Sequence, residues 1–74
     1  MSVNYVLALR LYIQDRVEKA RGRVVSVKIR DICRGDKKCE YVVYTAMKEL
    51  IRRGVAWRYK QGVYLVDRSA LAGL

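Results

Sequence analysis

The sequence contains no histidine and only two cysteines, Cys33 and Cys39. Structural zinc sites use four nitrogen or sulfur donors, so these residues cannot complete such a site within one chain. The sequence also lacks a glycine-rich phosphate loop and a paired-carboxylate signature, and its seven acidic residues are scattered among basic neighbours. We therefore expect no metal, no cofactor and no enzymatic activity.

Long apolar runs are also missing. The longest, residues 5–9, is far shorter than the ~20 residues that a helix needs to span a bilayer. No basic residue precedes the apolar residues 3–9, and no cleavage site of small residues follows them, so we expect no signal peptide. We therefore expect a soluble, cytoplasmic protein with no membrane partner.

Acidic residues are few compared with basic ones. Sixteen Lys and Arg face seven Asp and Glu, which gives a net charge of +9 and a pI near 10.0. A domain this basic attracts polyanions, and phosphate backbones are the usual partners. The charge therefore predicts a nucleic-acid partner.

The 74 residues correspond to a single domain with a thin core. Residues 3–20 have the apolar spacing of a helix, with Ser2 as its N-cap and an inward stripe of Val6, Leu9, Ile13 and Val17. A second apolar stripe runs beside the first along Val3, Leu7 and Leu11. This stripe is either covered by the C-terminal tail or forms a homodimer interface, which a domain this small favours.

The rest of the chain predicts a strand over residues 24–27, a helix over 28–34 and a helix over 37–53 that is capped by Asp36. Two further strands, within residues 55–67, flank a turn at Gln61 and Gly62. Arg68 to Leu74 either form a helical turn capped by Ser69 or fray. The order helix, strand, helix, helix, strand, strand indicates an α+β fold, a helix-turn-helix followed by one wing.

The two cysteines have two interpretations. Both are either small buried hydrophobic side chains or the two halves of a Cys33–Cys39 disulfide. Disulfides are rare in the cytosol except in hyperthermophiles. Ten Arg, one Asn and two Gln favour such a source, whereas the absence of proline argues against it.

The segment from Val42 to Val55 resembles the recognition helix of winged-helix transcriptional regulators, which often ends in an ALxxLxxxG pattern followed by a hydrophobic residue. Here that pattern is Ala46-Met47, Leu50 and Gly54, then Val55. The segment from Lys60 to Val66 also resembles the return strand of the family, GGxYxL. The resemblance covers residues 24–67 and extends to very small winged-helix proteins of heat-loving archaea and their viruses, some of which carry a disulfide.

This resemblance implies sequence-selective binding of double-stranded DNA by a nucleoid-associated homodimer, with the third helix in the major groove. Contacts to base edges would come from Tyr41, Val42, Tyr44, Thr45 and Lys48, although Tyr41 has packing against the wing as its alternative role. Contacts to phosphate would come from Lys28, Arg30, Lys37, Lys38, Arg58, Lys60 and Gln61. We expect Arg58 and Lys60 to share one face of the wing.

Three other functions remain open at this point. A basic three-helix unit with a hairpin also occurs in RNA-associated and ribosomal proteins, although this chain has no long lysine-rich tail. Phosphate contacts alone would give a non-specific architectural DNA-binding protein. A winged helix can also serve protein–protein contact, but that function does not account for the net charge of +9.

Overall fold

The computed structural model describes residues 4–74 and has an α+β fold with one three-stranded antiparallel sheet. The elements follow the expected order, and their boundaries lie within two residues of the predicted ones. They are α1 (Tyr5–Lys19), β1 (Val24–Lys28), α2 (Ile29–Cys33), α3 (Lys37–Arg52), β2 (Ala56–Lys60), β3 (Val63–Asp67) and a terminal 3₁₀ helix (Arg68–Gly73).

The strand order in the sheet is β1-β3-β2, so the central strand is the last one in the sequence. Val25 on β1 pairs with Val66 on β3, and Ala56 on β2 pairs with Val66 from the other side. These side chains lie on the buried face of the sheet, together with Val27 and Tyr64. In the sequence β1 precedes α2 and α3, and β3 follows them. The pairing of β1 with β3 therefore holds the hairpin against the helices.

The helices complete the core above this face. Leu9, Ile13 and Val17 of α1 are buried, as the apolar spacing predicted. On α3 the buried stripe consists of Cys39, Val43, Met47 and Leu50. One residue of the predicted inward stripe, Val6, is exposed.

Two predicted caps differ from the observed ones. Ser2 lies outside the described residues, and the N-cap of α1 is Asn4, whose Oδ1 accepts a hydrogen bond from the Leu7 N–H at 2.9 Å. The helix therefore begins at Tyr5. At the C-terminus the cap is Asp67 and not Ser69, because the Asp67 carboxylate accepts from the Ser69 N–H at 2.9 Å and also bonds Arg23 at 3.0 Å.

The C-terminal residues are ordered against the rest of the fold. Ala70 is buried, and Leu71 and Leu74 pack against the core. The Arg10 guanidinium on α1 donates to the Leu74 carbonyl at 3.5 Å. The tail therefore packs against α1, yet Leu7 and Leu11 stay exposed beside it.

Cys33 and Cys39 form a disulfide at the junction of α2 and α3. Their Cα atoms are 5.4 Å apart, and both residues are buried. Gly35 has a left-handed φ of 90°, and Arg34 is left-handed as well with φ of 50°. Two consecutive left-handed residues reverse the chain sharply enough for the last residue of α2 to meet the first turn of α3.

Asp36 connects this junction to α1. Its Oδ1 accepts from the N–H groups of Lys38 and Cys39 at 2.9 and 3.3 Å, and its Oδ2 accepts from the Tyr5 hydroxyl at 3.0 Å. The bond from the Cys39 amide and then that from Tyr5 lower the pKa of the Asp36 carboxyl.

No helix in residues 4–74 has the length and apolar character needed to cross a membrane.

The lowered pKa of Asp36 predicts a pH-dependent contribution to stability. A carboxyl whose pKa is depressed by folding stabilises the fold above its unfolded pKa of about 4, and this contribution is lost as the pH falls through the folded pKa. Asp36→Asn keeps a capping oxygen but has no titratable group. We expect wild type to be the more stable at neutral pH and the difference to shrink below about pH 4. Urea unfolding midpoints measured across this range test the prediction, and curves that stay parallel would contradict it.

Candidate nucleic-acid interface

The outward face of α3 lies opposite its buried stripe. Because a helix turns about 100° per residue, burial at positions 39, 43, 47 and 50 leaves a second set of residues pointing to solvent. We call this set the α3 face: Lys37, Lys38, Tyr41, Thr45 and Lys48. All five residues are exposed, and Tyr41 has 75% exposure.

The chemistry that the α3 face offers is partly set by its own hydrogen bonds. The Thr45 hydroxyl donates to the Tyr41 carbonyl at 2.8 Å, so its proton is used within the helix. Thr45 therefore presents its methyl group and its oxygen lone pairs to a partner. Val42, half-buried one turn earlier, adds a second methyl-bearing side chain next to it.

The start of α3 offers fewer free amides than an uncapped helix. The Asp36 carboxylate already accepts from the Lys38 and Cys39 N–H groups, and its carbonyl accepts from the Glu40 N–H. These bonded amides are not free to hold an external anion. An anion here would contact the side chains of Lys37 and Lys38.

A groove of about 260 Å³ separates α3 from the wing. It brings together residues from the start of α2, the first turns of α3 and the turn of the hairpin. We call it the wing groove, and it is lined by Lys28, Ile29, Arg30, Glu40, Tyr44, Gln61 and Gly62. A backbone hydrogen bond of 2.9 Å from the Ile29 N–H to the Gly62 carbonyl holds α2 against the wing.

Four predicted site residues therefore meet in the wing groove: Lys28, Arg30, Tyr44 and Gln61. Glu40 was not predicted to lie among them. Its position on the edge of the helix, next to the buried Cys39, carries no sequence signal of a groove, because the groove exists only once the hairpin folds back.

A second groove, of about 400 Å³, lies on the other side of α3, towards the start of α1. Its lining is mainly apolar and consists of Val6, Tyr41, Val42, Thr45, Ala46 and Glu49. The residues predicted to contact base edges are thus divided, because Tyr41, Val42 and Thr45 border this groove and Tyr44 borders the wing groove.

Of the two tyrosines predicted to face DNA, Tyr41 is exposed as expected and Tyr44 is not. Tyr44 was predicted to be exposed, but it is half-buried, with its ring 6.0 Å from that of Tyr64 in an edge-to-face arrangement. Its hydroxyl lies beside Gly62 of the wing turn. Packing against the wing, the alternative considered for Tyr41, is the role of Tyr44. Burial, with a smaller effect of the nearby Tyr44, raises the pKa of Tyr64.

The prediction that Arg58 and Lys60 share one face of the wing is also wrong. The register shifts between them, so that Arg58 pairs with Tyr64 and Lys60 pairs with Val63. Tyr64 and Val63 are neighbours on β3, and their side chains point to opposite faces of the sheet. The bulge at Tyr59 therefore places one cation on each face of the hairpin.

The carboxylates near the α3 face have partners within the protein. Glu49 lies 3.7 Å from Arg52 and 3.6 Å from Arg53, and Asp31 accepts from the Tyr12 hydroxyl at 3.2 Å. By contrast, no carboxylate in residues 4–74 lies within ion-pair distance of the basic residues proposed to contact DNA: Lys28, Arg30, Lys37, Lys38, Lys48, Arg58 and Lys60. Their charge is available to an external anion.

The described residues contain no cluster of three or more His, Cys, Asp or Glu side chains placed to hold a metal ion. The chain matches no protein-family model, no characterised protein and no solved structure.

The contact between Tyr44 and Tyr64 predicts a specific loss of stability. An aromatic pair contributes about 0.5–1.5 kcal/mol beyond the area that it buries, so we expect Tyr44→Leu to lower the free energy of unfolding by at least about that amount. Tyr44→Phe keeps the ring and should stay close to wild type. The matched control is Tyr41→Leu on the exposed side of the same helix, which should change stability by less than about 0.5 kcal/mol. Equal losses for both leucine variants in urea unfolding would contradict the assignment.

Proposed function

We propose that this protein binds double-stranded DNA as a winged helix-turn-helix protein and acts as a sequence-selective transcriptional regulator. The observation that carries the proposal is the α3 face, an exposed surface of basic, aromatic and methyl-bearing side chains beside a basic hairpin. The net charge of +9 provides the long-range attraction to a phosphate backbone.

Residues of the α3 face differ in what they can contact. An α-helix fits the major groove, where thymine displays a methyl group and guanine displays two acceptors. Val42 and Thr45 have the apolar groups that suit the thymine methyl, and Lys48 has the donor that suits guanine. Tyr41, which is 75% exposed, can donate its hydroxyl to a base edge or to a phosphate. We assign no direct base contact to Tyr44, because its ring supports the wing.

Phosphate contacts fall on both sides of α3. Lys37 and Lys38 lie at its start, and Lys28 and Arg30 lie at the edge of the wing groove. On the hairpin, Arg58 and Lys60 occupy opposite faces, so a single strand of the duplex would engage one of them at a time. Such contacts set the orientation of the protein on DNA but carry no sequence information.

Binding of DNA is tested with a labelled duplex from the region upstream of the gene, a random duplex and a structured RNA, each over a range of salt concentrations. We expect tightest binding to the upstream duplex and a steep fall with salt. Lys37→Ala should reduce the slope of log K against log salt by about 0.9, the value for one phosphate contact, on both duplexes. Lys48→Ala should cost about 1–3 kcal/mol and mainly on the upstream duplex.

The matched control is Lys19→Ala, which removes the same charge from the far end of α1, where Lys19 pairs with Asp15 at 3.2 Å. Its binding should equal that of wild type. Equal affinity for both duplexes would indicate a non-specific architectural protein, and a preference for RNA would contradict the proposal in favour of an RNA-associated function.

We further propose that the protein is a homodimer through α1. Leu7 and Leu11 are 47% and 56% exposed on the outward side of the helix and form an apolar stripe. Val3, which we predicted to extend the stripe, lies outside the described residues. Two copies joined here would present two α3 helices, and a palindromic site with half-sites about 34–36 Å apart would match them.

Sedimentation equilibrium tests the dimer directly. We expect twice the monomer mass for wild type and a monomer for Leu11→Lys, because a charge in the apolar stripe costs more to bury than the stripe returns. Ala20→Lys adds the same charge at the exposed end of α1 and should remain dimeric. A wild-type monomer at all concentrations, or a dimeric Leu11→Lys, would rule out this interface.

A further inference from the structure

The three-stranded sheet has a second face whose residues are exposed or half-buried, and Arg16 of α1 reaches its β1 edge by donating to the Ser26 hydroxyl at 3.2 Å. The buried face holds Val25, Val27, Ala56, Tyr64 and Val66. Because side chains alternate along a strand, the residues between them point the other way. This outer sheet face consists of Val24, Ser26, Lys28, Trp57, Val63 and Leu65, with Tyr59 at its margin.

Two aromatic rings dominate the outer sheet face. Trp57 is 46% exposed and Tyr59 is 67% exposed, although tryptophan is usually one of the most deeply buried side chains in a protein. Both residues lie on β2, two positions apart, which places their Cα atoms about 6–7 Å from each other along the strand. Tyr59 is the bulged residue and has no partner on β3, so its ring is not held against a neighbouring strand.

The charge on this face is positive. Val63 pairs with Lys28 on one side and with Lys60 on the other, so the two cations flank an apolar residue in a row across the sheet. Among the described strand residues that alternate onto this face, the one carboxylate is Asp67. It is nearly buried and is bonded to Arg23 and to the Ser69 amide. The face therefore combines exposed rings with uncompensated positive charge.

We infer that the outer sheet face binds single-stranded nucleic acid, with bases stacked on Trp57 and Tyr59 and phosphates held by Lys28 and Lys60. Unpaired bases expose their flat faces and stack on aromatic side chains regardless of sequence, whereas bases within a duplex do not. Trp57 pairs with Leu65, so its ring lies on the side of the sheet opposite the buried face. This second binding activity goes beyond the proposed binding of duplex DNA. The two proposed sites share Lys28 and Lys60, and the stacking rings of Trp57 and Tyr59 belong to the single-strand site alone.

A second copy of the chain is a poorer occupant of this face. β2 is an edge strand, and four of its five residues are exposed. Pairing it with β2 of another copy would bring Arg58 and Lys60 close to like charges, which is the arrangement that protects natural edge strands from pairing. The same charges attract a polyanion.

The experiment uses Trp57, the single tryptophan of the chain, as its own reporter. Emission is recorded while the protein is titrated with a twelve-nucleotide oligo-dT, with oligo-rU of the same length and with a blunt duplex. We expect saturable quenching of Trp57 by a single strand, and the stronger of the two oligonucleotides identifies DNA or RNA as the ligand. Absence of quenching by both single strands would overturn the inference.

Variants test whether stacking causes the binding. With labelled oligonucleotides we expect Tyr59→Ala and Trp57→Ala each to weaken single-strand binding by roughly five- to a hundredfold, the range for loss of one stacking ring. Trp57→Phe keeps a ring and should bind within a fewfold of wild type. Ile51→Ala removes a 40% exposed apolar side chain from the end of α3, outside both proposed sites, and should leave single-strand binding unchanged.

Circular dichroism confirms that each variant folds, and Tyr59→Ala keeps the test valid if Trp57→Ala does not fold. Folded Trp57→Ala and Tyr59→Ala proteins that bind single strands as well as wild type does would overturn the inference. A Trp57→Ala variant that loses self-association in sedimentation but keeps single-strand affinity would also overturn the inference, and would assign the face to a second copy.

Duplex affinity measured in parallel separates the two activities. Failure of duplex binding with retained quenching of Trp57 contradicts only the proposed function.

Discussion

The disulfide between Cys33 and Cys39 is the constraint on which the position of α3 depends. It joins the last residue of α2 to the first turn of α3 across a loop of two left-handed residues and the capping carboxylate of Asp36. A closed loop this short restricts the unfolded chain by about 2–3 kcal/mol in the loop-entropy model. Small domains have a total stability of only about 5–15 kcal/mol, so the bond supplies a sizeable share. The α3 face and both grooves beside it keep their shape because this junction is closed.

The hairpin gives the molecule two separate surfaces. Tyr64 and Arg58 point to the side of the helices, where Tyr44 supports the wing and the wing groove forms. Trp57 points to the opposite side, into solvent. The bulge at Tyr59 places Lys60 on that second side, and it is this one-residue shift that supplies positive charge next to the exposed rings. The bulge therefore affects both proposed binding sites, because it sets the faces of the sheet on which Arg58 and Lys60 lie.

Much of the fold follows from local signals in the chain. Apolar spacing located α1 and α3, Asp36 marked the start of α3, and Gly62 marked the turn of the hairpin with its positive φ of 75°. The predicted site was less complete. The burial of Tyr44 and the presence of Glu40 in the wing groove both depend on where the hairpin lies relative to α3. No property of these residue types indicates that arrangement in advance.

Composition and spacing were enough to establish three features: the basic charge, the order of helices and strands, and the separation of the two cysteines. Each of these is a property of the chain itself or of a few neighbouring residues. The pairing of β1 with β3, the opposite faces of Arg58 and Lys60, and the outer sheet face arise from contacts between distant segments. Strand register changes by a single bulged residue, and a shift of one residue moves a side chain to the other face of the sheet. Such contacts are selected by the packing of the whole core, so they become visible only when the chain is folded.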